Sequence, residues 1–364
     1  MKFRCEREAL AEAMVVAGRA TSGRSASSPV LQGLLFNLAG DRLTITGSDS
    51  ELTIKVSIEV GGDADGSTVL PARLSSDIVR SLPSGRVEFS VEGEEVHISN
   101  GRSKFTLRPF NHDDYPKVVI PTTASVTLPS AEFGEALRQV VRAASKDESR
   151  QQLVGVLMTS ENNGLRMVAT DSYRLAMRDL VGKEAPPADK RVVVPRRALE
   201  ELQRLVNSGE QVLMKLDDRA AAFEVGNVSL TTRLVEAEFP NYRNLVQHNA
   251  TGVLTVEREA LLDAIRRVRI FAREANALRL KIDADSVRLH ATDRDQGEAS
   301  EEVDAQFTGD PLEIAFNHDY LAEGVEACSG DQITISTISN GKPAILRGSG
   351  SEDYMYLLMP VRLP

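Results

Sequence analysis

The sequence predicts an α+β fold of three tandem copies of one domain of about 120 residues, each with two helices on antiparallel sheets. Three observations carry this. A small or apolar run ending in Ser-Asp or Thr-Asp recurs as Thr46-Gly47-Ser48-Asp49, Val168-Ala169-Thr170-Asp171 and His290-Ala291-Thr292-Asp293, with equal spacing: 171 − 49 = 122 and 293 − 171 = 122. Helical periodicity restarts in each copy, and runs of strict apolar alternation follow each helix.

Copy one opens with Glu6-Arg7-Glu8-Ala9-Leu10, then Ala13, Met14 and Ala17, apolar at three- and four-residue steps. Copy three opens with the same five letters, Glu257 to Leu261, followed by Ile265, Val268 and Phe271. Copy two has Ser130-Ala131-Glu132-Phe133, then Leu137, Val140 and Val141. Acidic residues in each first turn suit the helix dipole. Strands follow: Leu52, Ile54, Val56 and Ile58 in copy one; Leu165, Met167 and Ala169 in copy two; Leu278, Leu280 and Ile282, then Val287, Leu289 and Ala291, in copy three. Each copy then restarts, with shorter helices after Leu70-Pro71-Ala72-Arg73, Val194-Pro195-Arg196-Arg197 and Ala315-Phe316-Asn317. These are expected to stop at the glycines Gly85, Gly209 and Gly330. More alternating strands come next, and Glu92-Gly93, Asn100-Gly101 and Asn340-Gly341 have hairpin chemistry. The expected domains are 1–121, 125–248 and 252–364, with six helices in all. The segment 20–28, rich in Ala, Thr, Ser, Gly and Arg, reads as a mobile loop.

A chain of 364 residues suits two or three cores rather than one. With 41% apolar and 26% charged residues it reads as globular, not disordered. The N-terminus lacks a signal-peptide pattern and no run of about 18 apolar residues occurs, so a cytoplasmic protein with no membrane partner is expected. Cys5 and Cys328 are far apart, without CxxC spacing, and read as reduced core thiols. A net charge of −10 argues against indiscriminate coating of nucleic acid.

No phosphate-binding glycine loop, HExxH or GxSxG is present. The five histidines lie in different segments, so no metal and no cofactor is expected. Asp49, Asp171 and Asp293 could be read as catalytic acids. Equivalent positions in tandem copies lie in different domains, however, and a turn-capping role fits them better. Arginines gather on or beside the helices: solvated helix faces, or a surface facing phosphate. Only 5% of residues are aromatic and Trp is absent, a poor fit to base stacking on single strands.

The C-terminal Tyr356-Leu357-Leu358-Met359-Pro360-Val361-Arg362-Leu363 resembles the end of the bacterial DNA polymerase III beta subunit, the sliding-clamp family. So do Thr170-Asp171-Ser172-Tyr173-Arg174-Leu175, Val194-Pro195-Arg196-Arg197, Phe239-Pro240-Asn241-Tyr242-Arg243, Phe316-Asn317 with Tyr320, and the opening Met1-Lys2-Phe3. The resemblance runs the full length in the family's order. It implies three DNA-clamp domains, a homodimeric ring around duplex DNA and no enzymatic activity. It further implies a clamp loader, the DNA polymerase III alpha subunit and other clamp-binding-motif proteins as partners. Helices side by side at about 8–10 Å between axes, each about 10 Å wide, leave a hole of about 5–9 Å for six helices and about 20–28 Å for twelve. A duplex needs at least ~17 Å, so two chains are expected per ring.

The resemblance also implies an apolar peptide cleft between domains two and three. Its positions here are Thr170, Ser172, Tyr173, Arg174, Leu175, Pro240, Leu245, Tyr320, Pro343, Leu357, Leu358, Met359, Pro360 and Arg362. Residues Leu357–Val361 taken alone read as a buried edge strand, since Pro360 cannot pair inside a sheet. Ser172-Tyr173 stands where many relatives have Gly-His, and Asn244 where some have Arg, which reshapes the rim. Arg24, Arg73, Lys146, Arg150 and Arg197 are the implied DNA contacts. Gln151-Gln152 replaces an aromatic pair of the relatives. An enzyme using the repeated aspartates and a sheet-rich adaptor that never touches DNA remain the competing readings.

Overall fold

The computed structural model describes residues 1–21, 28–183, 191–246, 249–272 and 276–362. Arg24, most of the 20–28 loop and the boundary residue His248 lie outside the described residues. The chain divides into two contact units, residues 1–133 with 197–234, and residues 134–196 with 235–364.

The first unit holds two sheets. One runs in the order Gly61–Ala64, Lys2–Glu6, Arg86–Glu92, Glu95–Asn100, Ser103–Leu107. The other runs Val126–Pro129, Gln211–Leu216, Ala220–Val225, Val228–Arg233, Leu52–Glu59, Arg42–Ser48, Gly33–Ala39, Gly66–Pro71. The second unit holds a single sheet: Arg191–Pro195, Gly155–Glu161, Gly164–Thr170, Arg174–Val181, Tyr354–Leu358, Ala344–Gly348, Gln332–Thr337, Gly252–Glu257, Gly297–Thr308, Ser286–Asp293, Ala277–Ile282, Leu312–Asn317. Every named pairing is antiparallel. The helices Arg7–Gly18 and Arg258–Val268, in equivalent places, bury Leu10, Met14 and Ala17, and Leu261, Ile265 and Val268, as the spacing predicts.

Each unit contains one seam where two copies share a sheet. In the first unit Leu52–Glu59 of copy one pairs with Val228–Arg233 of copy two. In the second, Arg174–Val181 of copy two pairs with Tyr354–Leu358 of copy three. The last strand is therefore interior, with Ala344–Gly348 on its other side, and not the edge strand expected. Met359 and Pro360 lie beyond its end, so the proline interrupts no ladder.

The helices also stop before their expected glycines. Ala72–Ser81 ends because Leu82 precedes Pro83 and is driven to extended backbone. Arg196–Leu205 passes into a 3-10 turn, and Gly209 is extended at φ −155°. His318–Ala327 ends at extended Cys328, two residues before Gly330. Asn340-Gly341 lies within a longer connection, whereas Asn162 and Asn163, at φ 50° and 57°, make the tight hairpin that was not anticipated.

All three repeated aspartates serve turns. Asp49 accepts from the backbone N–H of Glu51 and Leu52 at 3.0 and 2.8 Å. Asp171 accepts from Tyr173 and Arg174 at 2.9 and 3.0 Å, and Asp293 from Asp295 and Gln296 at 3.0 and 3.1 Å. Cys5 and Cys328 are both buried and unbridged, and burial pushes each thiol up to about 12. Among the described residues, no helix is long and apolar enough to cross a membrane, and no group of three His, Cys, Asp or Glu could hold a metal ion.

Candidate functional site

The second seam carries an apolar face. Pairing sets Leu175 opposite Leu357 and Met177 opposite Met355, and the Met359 N–H donates to the Tyr173 carbonyl at 2.8 Å. Because side chains alternate along a strand, Tyr173, Leu175 and Met177 share a face with Met355, Leu357 and Met359. Leu175, Leu357 and Met355 form one buried cluster with Leu157, Val168, Ile345, Phe239 and Tyr242. Tyr173 and Met359 stay exposed at its rim, at 60% and 36%.

The segment after Phe239 closes another side. Phe239 and Tyr242 are buried in the cluster and Val246 packs on it, while Pro240 and Leu245 between them face outward. Leu358 pairs with Arg174 on one side and Ala344 on the other, with Pro343 half-buried next to Ala344. Pro360 is half-buried and Arg362 exposed past the strand's end. Sequence reasoning did not pick out Met177, Met355, Phe239 and Tyr242 as part of this patch. A period of two counted from Leu175 and Leu357 would have found the methionines.

The turn from Thr170 to Arg174 is held tightly. The Thr170 hydroxyl donates to the Arg174 carbonyl at 2.7 Å. Ser172 sits in the left-handed region at φ 80°, where glycine fits best. Arg150, implied as a DNA contact, donates to the Asp171 carbonyl at 3.1 Å and also bonds the Ser172 hydroxyl. Arg174 is 6% exposed and donates from Nε to Asp171 at 3.0 Å, from Nη2 to the Arg142 carbonyl at 2.6 Å, and from Nη1 to Glu323. Its guanidinium carbon lies 4.2 Å from the centre of the Tyr320 ring, which is 6.5 Å from that of Tyr173. Burial works against the Arg174 charge, but Tyr356 and Glu323 outweigh it and hold the pKa above the ordinary arginine value. Arg174 is thus a buried strut beneath the patch rather than part of its surface.

Arg73 is exposed on its helix with Asp77 4.0 Å away, and Lys146 is exposed. Arg197, half exposed, is ion-paired with Asp49. Arg150 and Arg197 thus play parallel parts, each gripping the turn of a repeated aspartate.

A repeated α+β chain whose equally spaced aspartates all serve turns, and whose second seam carries a buried apolar cluster rimmed by exposed Tyr173, Leu245 and Met359, has the features of a binding protein. Family comparisons agree. The N-terminal, central and C-terminal domains of the DNA polymerase III beta subunit match residues 1–119, 127–241 and 243–362. The Beta sliding clamp of Streptomyces coelicolor is 34% identical over 375 residues, covering 100% of both chains. Solved structures of the Bacillus subtilis DNA polymerase sliding clamp and of the Pseudomonas aeruginosa sliding clamp bound to griselimycin each cover 100% of both chains. They superpose at TM-scores of 0.93 and 0.94, with 29% and 28% identity. The chain belongs to the bacterial DNA polymerase III beta subunit family. Its function is that of a DNA sliding clamp, a non-enzymatic processivity factor.

Proposed function

We propose that two copies of this chain close head to tail around duplex DNA, and that the apolar patch of the second seam is the dock for partner peptides. The partners are the DNA polymerase III alpha subunit, the clamp loader and other clamp-binding-motif proteins, and the setting is the cytoplasm. The domains are 1–121, 125–248 and 252–364. Thr170, Ser172, Tyr173, Leu175, Pro240, Leu245, Tyr320, Pro343, Leu357, Leu358, Met359, Pro360 and Arg362 line or edge the dock, and Arg174 supports it. Arg24, Arg73, Lys146, Arg150 and Arg197 contact phosphates without reading sequence.

The observation that carries the reading is the seam pattern. Each seam joins the fourth strand of one copy to the last strand of the next. One pair of such strands remains: Gly297–Thr308 of copy three, whose residues 297–304 pair on one side only among the described residues, and Ser103–Leu107 of copy one, an edge strand of its sheet among the described residues. Aligning the turns Gly101-Arg102 and Gly226-Asn227 carries the register across, placing Glu298 opposite Phe105 and Ser300 opposite Ser103 of a second copy. The stretch with Glu298, Glu301 and Glu302 then lies along Arg102 and Lys104, so charge favours the union. Native mass tests the dimer, and retention on circular but not linear duplex tests the ring. Equal retention after linearisation would sink it.

A further inference from the structure

A charged chain of contacts runs beneath the outer edge of the patch. Glu161, Arg166 and Asp179 stand on three neighbouring strands, and the pairings Thr159↔Arg166 and Arg166↔Asp179 set them side by side. Arg166 donates to both Asp179 oxygens at 2.6 Å and to Glu161 Oε2 at 2.7 Å. Asn162 adds a bond to Asp179 at 2.8 Å. The three charged side chains are only 12%, 18% and 11% exposed for Arg166, Glu161 and Asp179. The Asp179 contacts hold the Arg166 pKa above its ordinary value although burial opposes the charge.

The chain of contacts does not end there. Glu161 Oε1 accepts from Arg243 at 2.6 Å and from the Tyr242 hydroxyl at 3.4 Å. Two carboxylates and two guanidiniums balance, so the arrangement carries no net charge. Arg243 is 55% exposed and lies in the one-turn helix Arg243–Val246, between Pro240 and Leu245. A segment that short cannot hold its own conformation. Phe239 and Tyr242 pin its apolar side in the cluster, and the Arg243–Glu161 pair pins its polar side.

We infer that Arg243, through Glu161, is a positioning residue for partner binding: it holds the segment bearing Pro240 and Leu245 in its docking geometry without touching the peptide. The inference rests on the docking role proposed above. Removing Arg243 leaves Glu161 paired with Arg166, so the buried charges stay satisfied and only the tether is lost. Removing Arg166 would instead leave buried Asp179 with Asn162 but no cation, and Glu161 with only the exposed Arg243, which is a folding defect. A rim that is no longer held must be ordered when a ligand binds, and that cost appears in affinity.

Calorimetric titration of the full-length protein with griselimycin, alongside thermal unfolding, tests this. Arg243→Gln is expected to weaken binding about three- to fivefold with an unchanged unfolding midpoint. Arg243→Lys should recover most of that loss. Glu161→Gln with Arg243→Gln should bind no worse than Arg243→Gln alone, because the two act through one contact. Wild-type affinity in Arg243→Gln, or losses that multiply in the double variant, would overturn the inference. If Met359→Glu binds as tightly as wild type, or wild type does not bind, the docking reading fails first and takes this one with it.

Discussion

The two seams share a backbone plan and differ on one face. Adding 122 maps Thr53 onto Leu175 and Lys55 onto Met177. In the first unit Thr53 pairs with Thr231 and Lys55 with Ser229; in the second, Leu175 pairs with Leu357 and Met177 with Met355. The opposite face also diverges, with Leu52 where the second seam has Arg174. A repeated scaffold thus acquires an apolar face at one seam by side-chain choice alone, the face proposed above as the dock. The polar face closes a ladder; the apolar face is buried under Phe239 and Tyr242 and leaves Tyr173, Leu245 and Met359 exposed at its rim.

The comparison can be broken most sharply at Arg174. Arg174→Met leaves Asp171 and Glu323 without their partner, and denaturant unfolding should show a loss of about 3–5 kcal/mol. Leu52→Met, its counterpart, should cost under about 1.5 kcal/mol. Next comes the face itself. Leu175→Thr with Leu357→Thr copies the first seam into the second, and titration with griselimycin should show binding lost. Its stability cost is about 2–4 kcal/mol, from two buried apolar side chains exchanged for hydroxyls. The reverse exchange, Thr53→Leu with Thr231→Leu, should change stability little and create no dock, because no counterpart of Tyr173 stands at Glu51.

Two smaller effects refine the contrast. Ser50 and Ser172 occupy equivalent left-handed positions at φ 79° and 80°. Ser50→Gly should stabilise by about 0.5–1 kcal/mol. Ser172→Gly should gain less, since it forfeits the Arg150 contact; thermal unfolding of the pair measures the difference. Acid should also loosen parts of the second unit. Hydrogen bonds from Arg138 to Glu135 and from Arg267 to Glu301 hold both carboxyls below their ordinary values. Their folded values lie below the unfolded ones, so this stabilisation is complete above the unfolded carboxylate range near pH 4.3 and fades as pH falls through the lowered values. Ser286 and Arg288 lower Glu302 in the same way, and Ser149 lowers Asp147. In the first unit Ser84 lowers Glu8. Hydrogen exchange below pH 4 should show loosening around Glu135, Glu301 and Glu302 of the second unit as these carboxyls protonate. Both bonded pairs are near solvent, so the effect is the smallest of those expected.

Much of the local structure was legible. The aspartate turns follow from a short side chain that reaches backbone N–H groups two and three residues on, and the helices from apolar periodicity. Helix ends were misjudged where Pro83 or extended Cys328 acted before the glycine. The edge expectation for Leu357–Val361 failed because a proline past a strand's end says nothing about the strand's neighbours. Leu175 and Leu357 were legible through family resemblance, whereas the roles of Glu161, Arg166 and Glu323 had no signal in the chain around them.

By itself the amino-acid order determined the alternating strands and the capped turns, which arise from residues a few positions apart, and the triplication, which shows as a motif recurring at a fixed spacing. Only the tertiary structure decided which strands meet at the seams. It alone set Arg174 under the patch, and drew Arg150 and Arg197 into gripping turns. Apart from Asp171, three positions from Arg174, those partners lie between 21 and 182 positions away in sequence, and periodicity carries no information about a partner at such distance. Burial and charge compensation choose it once the sheet has formed.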